Sequence, residues 1–228
     1  MAPASTSDTR RADALRNRRA LVEAARAVFG ARGLEAPLDE IARTAGVGNA
    51  TLYRHFPSRC ALVGAVFADT LQQVAAAARE ALANPEAWAG FCEYVTFLCE
   101  LQAADRGLAD LLTTAITGAP ELEELRGRAY TDFVRVVERA KARGGLRDDF
   151  QPEDVVLLLM ANAGLVHRTA GVIPLAWRRI LSYVLDGLRQ TAATPAPHAP
   201  GQEAVREAMR SQAGLFDIPD RSASVTRT

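Results

Sequence analysis

The chain has few of the residue types on which most catalytic and metal sites depend. Its 228 residues include three histidines, three cysteines and a single lysine, Lys141. The histidines form no nucleophile–base or metal-ligand pattern; they are His55, His167 and His198. We therefore predict that the protein is not an enzyme and that it has no metal and no cofactor.

Further absences bear on the location of the protein. No apolar run approaches the roughly 18 residues that a membrane-spanning helix requires. Residues 1–20 lack the apolar core of a signal peptide. Cys60, Cys92 and Cys99 have no metal-ligand spacing, and buried apolar positions are favoured over redox sensing. We expect a cytoplasmic protein with no membrane partner.

The formal net charge is zero, but the charges are unevenly distributed along the chain. Residues 1–60 carry ten arginines and six acidic residues, whereas residues 61–228 carry 17 basic and 21 acidic residues. A basic end on an acidic body favours contact between that end and a polyanion. Five arginines near the amino terminus fit either an arm that reaches DNA or a solvated helix face: Arg10, Arg11, Arg16, Arg18 and Arg19.

Hydrophobic periodicity predicts an all-α chain, because apolar residues recur at helical spacing and no segment alternates as a strand does. Residues 1–9 are small and polar and are expected to be disordered. The predicted helices cover 11–32, a short segment from Leu38, Asn49–His55, roughly Arg59–Ala83, 86–103, 106–117, 121–143, 153–170 and 174–190. We expect domains at 10–60 and 61–190. Residues 191–228 are expected to form a mostly flexible tail, in which EAVREAMRSQAGLF has the composition of a short helix.

The glycine turn Gly46-Val47-Gly48 separates two short predicted helices. Two helices joined in this way, and braced by a preceding helix, form a helix-turn-helix, whose second helix enters the major groove of DNA. Here the second helix is Asn49–His55. Pro57 ends it, and Ser58 suits the N-cap of the next helix.

The second helix and its end, Thr51–Arg59 (TLYRHFPSR), concentrate hydrogen-bond donors. Ala50 is small enough for a close approach of the backbone, and the amide of Asn49 suits an adenine edge. Phosphate contacts position such a helix, whereas base contacts specify the sequence. Tyr53 taken alone would as readily pack between helices. The candidate phosphate donors are Thr51, Tyr53, His55 and Arg59.

Three blocks of this region closely resemble the signature of TetR-type transcriptional regulators: Leu38-Asp39-Glu40-Ile41-Ala42, Ala45-Gly46-Val47-Gly48 and Thr51–Arg59. The resemblance covers about residues 15–66. It implies base-edge contacts from Asn49, Ala50 and Arg54, and phosphate contacts from Thr51, Tyr53, His55 and Arg59. It also implies an all-helical effector-binding and dimerisation domain. The stretch from Leu111 to Gly187 further resembles the carboxy-terminal domain of an actinobacterial-type subgroup.

The chain departs from the family pattern at two places. Pro37-Leu38 stands where relatives often have a Ser or Thr that caps the second helix, so we expect Arg43 to supply a contact there instead. Arg59 stands where many relatives have lysine, which keeps the charge but changes the hydrogen-bond geometry.

Aromatic stripes in the second half of the chain are typical of core helices, but in this fold such helices also part around a mostly apolar pocket. A hydrogen bond between helices explains His167 better than the sensing of a ligand or of pH does. The candidate lining residues are Trp88, Tyr94, Tyr130, Asn162 and His167.

The last two predicted helices have the composition of an interface between two copies of the chain. Small residues permit close helix approach, and apolar residues supply bulk. A homodimer would match its two-fold axis to a palindromic operator on double-stranded DNA. The candidate interface residues are Leu158, Gly164, Leu165, Trp177, Ile180, Leu181, Val184 and Leu188.

The sequence therefore predicts a dimeric repressor that a small apolar or amphipathic ligand releases from its operator. One alternative is a DNA-binding regulator without an effector, for which the carboxy-terminal core would be closed. Another is a helical enzyme or interaction protein that reuses the amino-terminal bundle, against which the density of motifs from Leu38 to Arg59 argues.

Overall fold

The computed structural model describes residues 6–115 and 118–213. Within these ranges the chain is helical, with one 3-10 turn at Gln190–Ala192 and an isolated bridge between Leu146 and Arg189 but no strand, which confirms the all-α prediction. The helices are α1 Thr6–Arg32, α2 Leu38–Thr44, α3 Asn49–His55, α4 Arg59–Ala83, α5 Ala87–Ala104, α6 Arg106–Thr113, α7 Pro120–Ala142, α8 Asp154–Thr169, α9 Ala176–Gly187 and α10 Gln202–Ala213.

Local signals explain where the amino-terminal helices end. Gly33 follows α1 at φ 85° and Gly46 follows α2 at φ 69°, a left-handed backbone that glycine adopts without a steric penalty. The hydroxyl of Ser58 accepts a hydrogen bond from the N–H of Ala61 at 3.1 Å, so it caps α4 as predicted.

The amino end of the chain corrects one expectation. Residues 1–9 were expected to be disordered, but α1 begins at Thr6. Residues 1–5 lie outside the described part. Because α1 includes residues 10–19, the five amino-terminal arginines lie on a helix and not in an extended arm.

Two hydrophobic cores lie side by side along α4. The first joins α1, α2, α3, the first half of α4, α6 and the start of α7, and contains Phe29, Leu52 and Phe67. The second joins the rest of α4 to α5, α7, α8 and α9, and contains Phe91 and Phe133. Because nine of its 25 residues are buried, α4 is a core helix of the protein. By length and composition alone it would also be long and apolar enough to cross a membrane, as buried core helices often are.

The carboxy-terminal segment contains the short helix that its composition predicts: α10 covers residues 202–213. This helix was expected to belong to a mostly flexible tail, but it packs against the body of the protein. Val205 is only 3% exposed, and the carbonyl of Met209 accepts a hydrogen bond from the N–H of Ala115 at 3.1 Å. Residues 214–228 lie outside the described part.

Candidate DNA-binding surface and ligand cavity

Helix α3 buries one face and presents the other. Leu52 is 1% exposed and holds α3 against the first core. Asn49, Ala50 and Arg54 are exposed, which leaves the predicted base-edge residues accessible. On α2, Arg43 is also exposed. These four residues form one accessible group on the paired short helices.

The remaining predicted donors of α3 are less accessible. Thr51 and Tyr53 are half-buried, and the ring of Tyr53 packs against the first core. The Nε2 atom of His55 is buried and has no hydrogen-bond partner among the described residues, so this nitrogen does not face the surface.

Arg59 has a role that the sequence does not reveal. Its Nη1 donates to the carbonyl of Leu34 at 2.7 Å and to that of Ala36 at 2.6 Å. These carbonyls belong to the loop between α1 and α2, where no helical N–H reaches them. The side chain of the half-buried Arg59 therefore braces the helix-turn-helix, and the phosphate contact predicted for it stays a prediction.

The arginines of α1 make local contacts. Arg16 forms an ion pair with Asp13, and the guanidinium of Arg18 lies 4.9 Å from the centre of the Phe56 ring. Arg10 and Arg11 are exposed. These contacts favour the helix-face interpretation of this group, with Arg18 stacked over the end of α3.

A cavity of about 430 Å³ lies between α4, α5, α7, α8 and α10. Its wall is mostly apolar and includes Leu71, Val74, Leu98, Phe133 and Val155. A size of ~300–1,000 Å³ and an apolar wall with a few polar groups are typical of small-molecule sites.

The structure brings only two of the five predicted lining residues, Tyr94 and Tyr130, to this cavity. Trp88 instead stacks on Phe91, with 5.6 Å between ring centroids. Asn162 donates to the Oε1 of Gln102 at 2.9 Å in the interior, and His167 is exposed. The ligand-lining prediction is corrected for Trp88, Asn162 and His167.

A polar cluster stands in the cavity wall. The hydroxyl of Tyr130 donates to the Oε1 of Glu153 at 2.6 Å and accepts from the Nε2 of Gln202 at 3.3 Å. Burial, with the Glu153 hydrogen bond, raises the pKa of Tyr130 to about 12, so the phenol stays neutral at neutral pH. Sequence reasoning missed Glu153 and Gln202, because neither lies in an aromatic stripe.

Arg126 also lines the cavity and was missed for the same reason. Its Nη1 donates to the carbonyl of Thr114 at 2.8 Å. Burial lowers the pKa of its guanidinium to about 10, opposed by the nearby Glu123 carboxylate, so Arg126 remains a cation at neutral pH.

The predicted interface residues divide between the core and the surface. Trp177 and Leu181 are 3% and 5% exposed and belong to the second core, which corrects their assignment to a dimer interface. Leu158, Leu165 and Leu188 pack partly against the same core, and Val184 is half-buried. The outer face of α8 and α9 is instead formed by Leu157, Gly164, Ile180 and Tyr183.

No catalytic or metal arrangement accompanies these features in the described ranges. No group of three or more His, Cys, Asp or Glu side chains is placed to hold a metal ion there. Burial raises the pKa of Cys92 to about 11 and that of Cys99 to about 12, which suits thiols that pack as apolar groups.

Two family models match the chain. Residues 21–66 match the amino-terminal domain described as bacterial regulatory proteins of the tetR family. Residues 84–190 match the carboxy-terminal domain described as that of SbtR-like transcriptional regulators. No curated protein has a sequence that matches the chain.

Solved structures of regulators resemble the chain over most of its length. The TetR regulator SCO0520 from Streptomyces coelicolor is 30% identical, with 75% of this chain and 98% of that chain covered and a TM-score of 0.47. KstR2, a ketosteroid transcriptional regulator of Mycobacterium tuberculosis, is 19% identical, with 75% and 94% covered and a TM-score of 0.56. FadR from Bacillus subtilis, in complex with stearoyl-CoA, is 15% identical, with 75% and 99% covered and a TM-score of 0.56.

The amino-terminal family model covers the helix-turn-helix in the first core, and the carboxy-terminal model covers α5 to α9, which supply most of the second core. The chain belongs to the TetR family of transcriptional regulators, which are DNA-binding proteins and not enzymes.

Proposed function

We propose that the chain is a cytoplasmic, dimeric repressor whose α3 helices read a palindromic operator and which a small amphipathic ligand releases from DNA. The observation that carries this proposal is the position of α4. It begins at Arg59, directly behind α3, and supplies Leu71 and Val74 to the cavity wall. A ligand in the cavity therefore touches the helix on which the DNA-reading unit is mounted.

The proposed DNA contacts follow the exposure of α3. The exposed Asn49, Ala50 and Arg54 face the bases, and the exposed Arg43 lies at the neighbouring backbone. The half-buried Thr51, Tyr53 and His55 lie beside the phosphates, with His55 making its contact through an atom other than the buried Nε2. A dimer of this kind binds half-sites about one helical turn apart, ~34–36 Å, or a multiple of that distance.

The proposed dimer uses the outer face of α8 and α9. Ile180 is 48% exposed and Tyr183 is 56% exposed, and the exposed Gly164 permits a second helix to approach. An apolar face of this kind is typical of a protein–protein contact. A four-helix contact between two copies would cover it.

Release follows if the ligand binds one arrangement of the dimer better than the other. A ligand shifts such an equilibrium only by its differential affinity, typically about 1–3 kcal/mol of coupling. The open cavity favours this mechanism over a regulator without an effector, for which a filled interior would be expected.

The test is fluorescence anisotropy with purified protein and duplex DNA from the intergenic region beside its own gene, compared with scrambled DNA across a range of salt concentrations. We expect selective binding that weakens steeply with salt. The Thr51→Ala/Tyr53→Phe variant should lose at least about tenfold in affinity and keep the salt slope of wild type, because the two lost hydroxyls are uncharged and release no counterions.

Two exposed residues of α7 provide matched controls. Thr131→Ala removes a hydroxyl as Thr51→Ala does, and Arg128→Gln removes a charge; both lie in the carboxy-terminal domain and should leave DNA binding unchanged. Equal, weak binding of wild type and variants to both duplexes would contradict the proposed contacts at this operator. A ligand screen that gives neither a thermal shift nor release of DNA would contradict the effector.

A further inference from the structure

Helix α10 closes one side of the cavity. It contributes Gln202, Val205, Arg206, Met209 and Arg210 to the wall. It follows a Pro- and Ala-rich connection and lies beyond residue 190, where the match to the family's carboxy-terminal domain ends. The wall of the cavity is thus completed by a helix that lies outside the part of the chain matched by the family model.

The contacts of α10 fix its direction. Gln202 reaches the hydroxyl of Tyr130, and Met209 accepts from the N–H of Ala115, which adjoins the Thr114 carbonyl bound by Arg126. α10 therefore runs antiparallel to α7, from the level of Tyr130 to that of Arg126. Arg206 lies between these two anchor points and faces the cavity.

Two arginines without an ion-pair partner in the described part of the chain line the cavity, the buried guanidinium of Arg126 and, at the solvent side, the exposed Arg206. Among the described residues, neither Arg126 nor Arg206 has a carboxylate oxygen within 4.0 Å, whereas Arg210 is paired with Glu203 and Glu207 on its own helix. The hydrogen bond of Arg126 goes to a neutral carbonyl. A cation removed from water is costly unless it is paired, so an anion beside Arg126 would be stabilised.

The carboxylates of the wall are already engaged. The Oε1 of Glu153 accepts from Tyr130 at 2.6 Å, and the Oε1 of Glu123 accepts from the N–H of Gly118 at 3.1 Å. The rest of the wall is largely apolar, including Leu71, Val74 and Phe133. A negative group attached to an apolar body would complement this wall.

We propose that the cavity binds an amphipathic monocarboxylate, whose carboxylate lies between Arg126 of α7 and Arg206 of α10 and whose alkyl part lies against the apolar wall. This inference rests on the proposed function and names the ligand class. Arginine suits the role because its guanidinium can donate two parallel hydrogen bonds to one carboxylate. Because the carboxylate contacts both α7 and α10, ligand binding also stabilises the packing of α10 against the cavity.

The test is isothermal titration calorimetry of the full chain with octanoate, decanoate and dodecanoate, each compared with the alcohol of the same length. We expect decanoate to bind at least about tenfold tighter than decanol, because only the acid engages the arginines. Affinity should rise about fourfold per added methylene until the cavity is full.

Variants assign the effect to the two arginines. Arg126→Met should abolish the preference for acid over alcohol, Arg206→Met should reduce it several-fold, and Arg126→Lys should retain part of it. Arg128→Met, on the exposed face of α7, is the matched control and should change nothing. Hydrogen exchange of residues 202–213 should slow with decanoate and not with decanol.

Several results would overturn the inference: equal affinity for acids and alcohols, no binding across the series, or an unchanged preference in Arg126→Met. If Arg126→Met does not fold, the wild-type comparison and Arg206→Met still decide the matter. Alcohols that bind and release DNA as well as the acids do would defeat the carboxylate site while leaving the proposed function intact. Loss of operator binding in the absence of any ligand would instead contradict the proposed function.

Discussion

The carboxylate of Asp110 accepts a hydrogen bond from the backbone N–H of Leu34 at 2.9 Å, across 76 positions of sequence. Leu34 lies in the loop between α1 and α2, and Asp110 lies on α6. The bond therefore joins the DNA-reading unit directly to the carboxy-terminal domain, beside the route provided by α4.

The first prediction concerns the pH dependence of this link. Burial raises the pKa of Asp110 above its ordinary value of 3.8, and this outweighs the opposing hydrogen bond from Leu34. The folded state therefore favours the protonated carboxyl. The stability that this group contributes is complete below pH 3.8 and is lost as the pH rises through the folded-state pKa.

Asp110→Asn removes that titration and keeps an oxygen that can accept from Leu34. We expect the free energy of unfolding of the variant, relative to wild type, to rise as the pH increases from 3.8. Urea denaturation at a series of pH values measures the difference, in which the other carboxyls cancel. A difference that is constant with pH would contradict the assignment.

The second prediction concerns Gly33. Its φ of 85° is unfavourable for any other residue, and a Cβ there would lie 2.4 Å from the Oδ2 of Asp110. Gly46, at φ 69°, has open space at the same position and is the matched control. Gly46→Ala should cost about 1–2 kcal/mol of stability from the backbone alone, and Gly33→Ala should cost more. Equal losses in thermal denaturation would show that Asp110 moves aside without cost.

The third prediction concerns Arg59. Arg59→Lys keeps the charge but loses the planar fork that reaches the Leu34 and Ala36 carbonyls together. We expect a loss of about 1–3 kcal/mol in the free energy of unfolding. A variant as stable as wild type, but with weaker DNA binding, would instead support the phosphate role predicted from the sequence.

The fourth prediction concerns the proposed dimer. Ile180→Glu places a charge on the exposed face of α9 and should yield a monomer in sedimentation analysis at concentrations where wild type is dimeric. Leu15→Glu, at an apolar residue of α1 that is 59% exposed, is the control and should leave the dimer unchanged. A dimer that survives Ile180→Glu would place the interface elsewhere.

The sequence predicts α3 and α4 with the bounds that the structure has, because strong local signals enclose them. Three local signals set these bounds: the glycine turn at 46–48, Pro57 and the Ser58 cap. Each acts on neighbouring residues, so its effect can be predicted from the sequence alone. The exposed positions of α3 follow equally well, since one buried residue, Leu52, orients a helix of two turns.

What the sequence could not reveal depends on contacts between distant residues. The hydrogen bonds of Arg59 to the carbonyls of Leu34 and Ala36 join residues more than 20 positions apart, so no local pattern predicts them. Large apolar residues occur on both the buried and the exposed side of α9, so periodicity did not show that Trp177 and Leu181 turn inward while Ile180 turns outward. α10 has the composition of a soluble helix, and only its packing makes it part of the cavity.

Because α4 is continuous through both cores, it couples their unfolding. Its 25 residues extend about 37 Å and place Phe67 in the first core and Ala78 in the second. If one core unfolds, the half of α4 that packs in it is exposed, and this destabilises the half that packs in the other core. The two regions should therefore melt together in one cooperative transition, with a calorimetric enthalpy equal to the van't Hoff enthalpy.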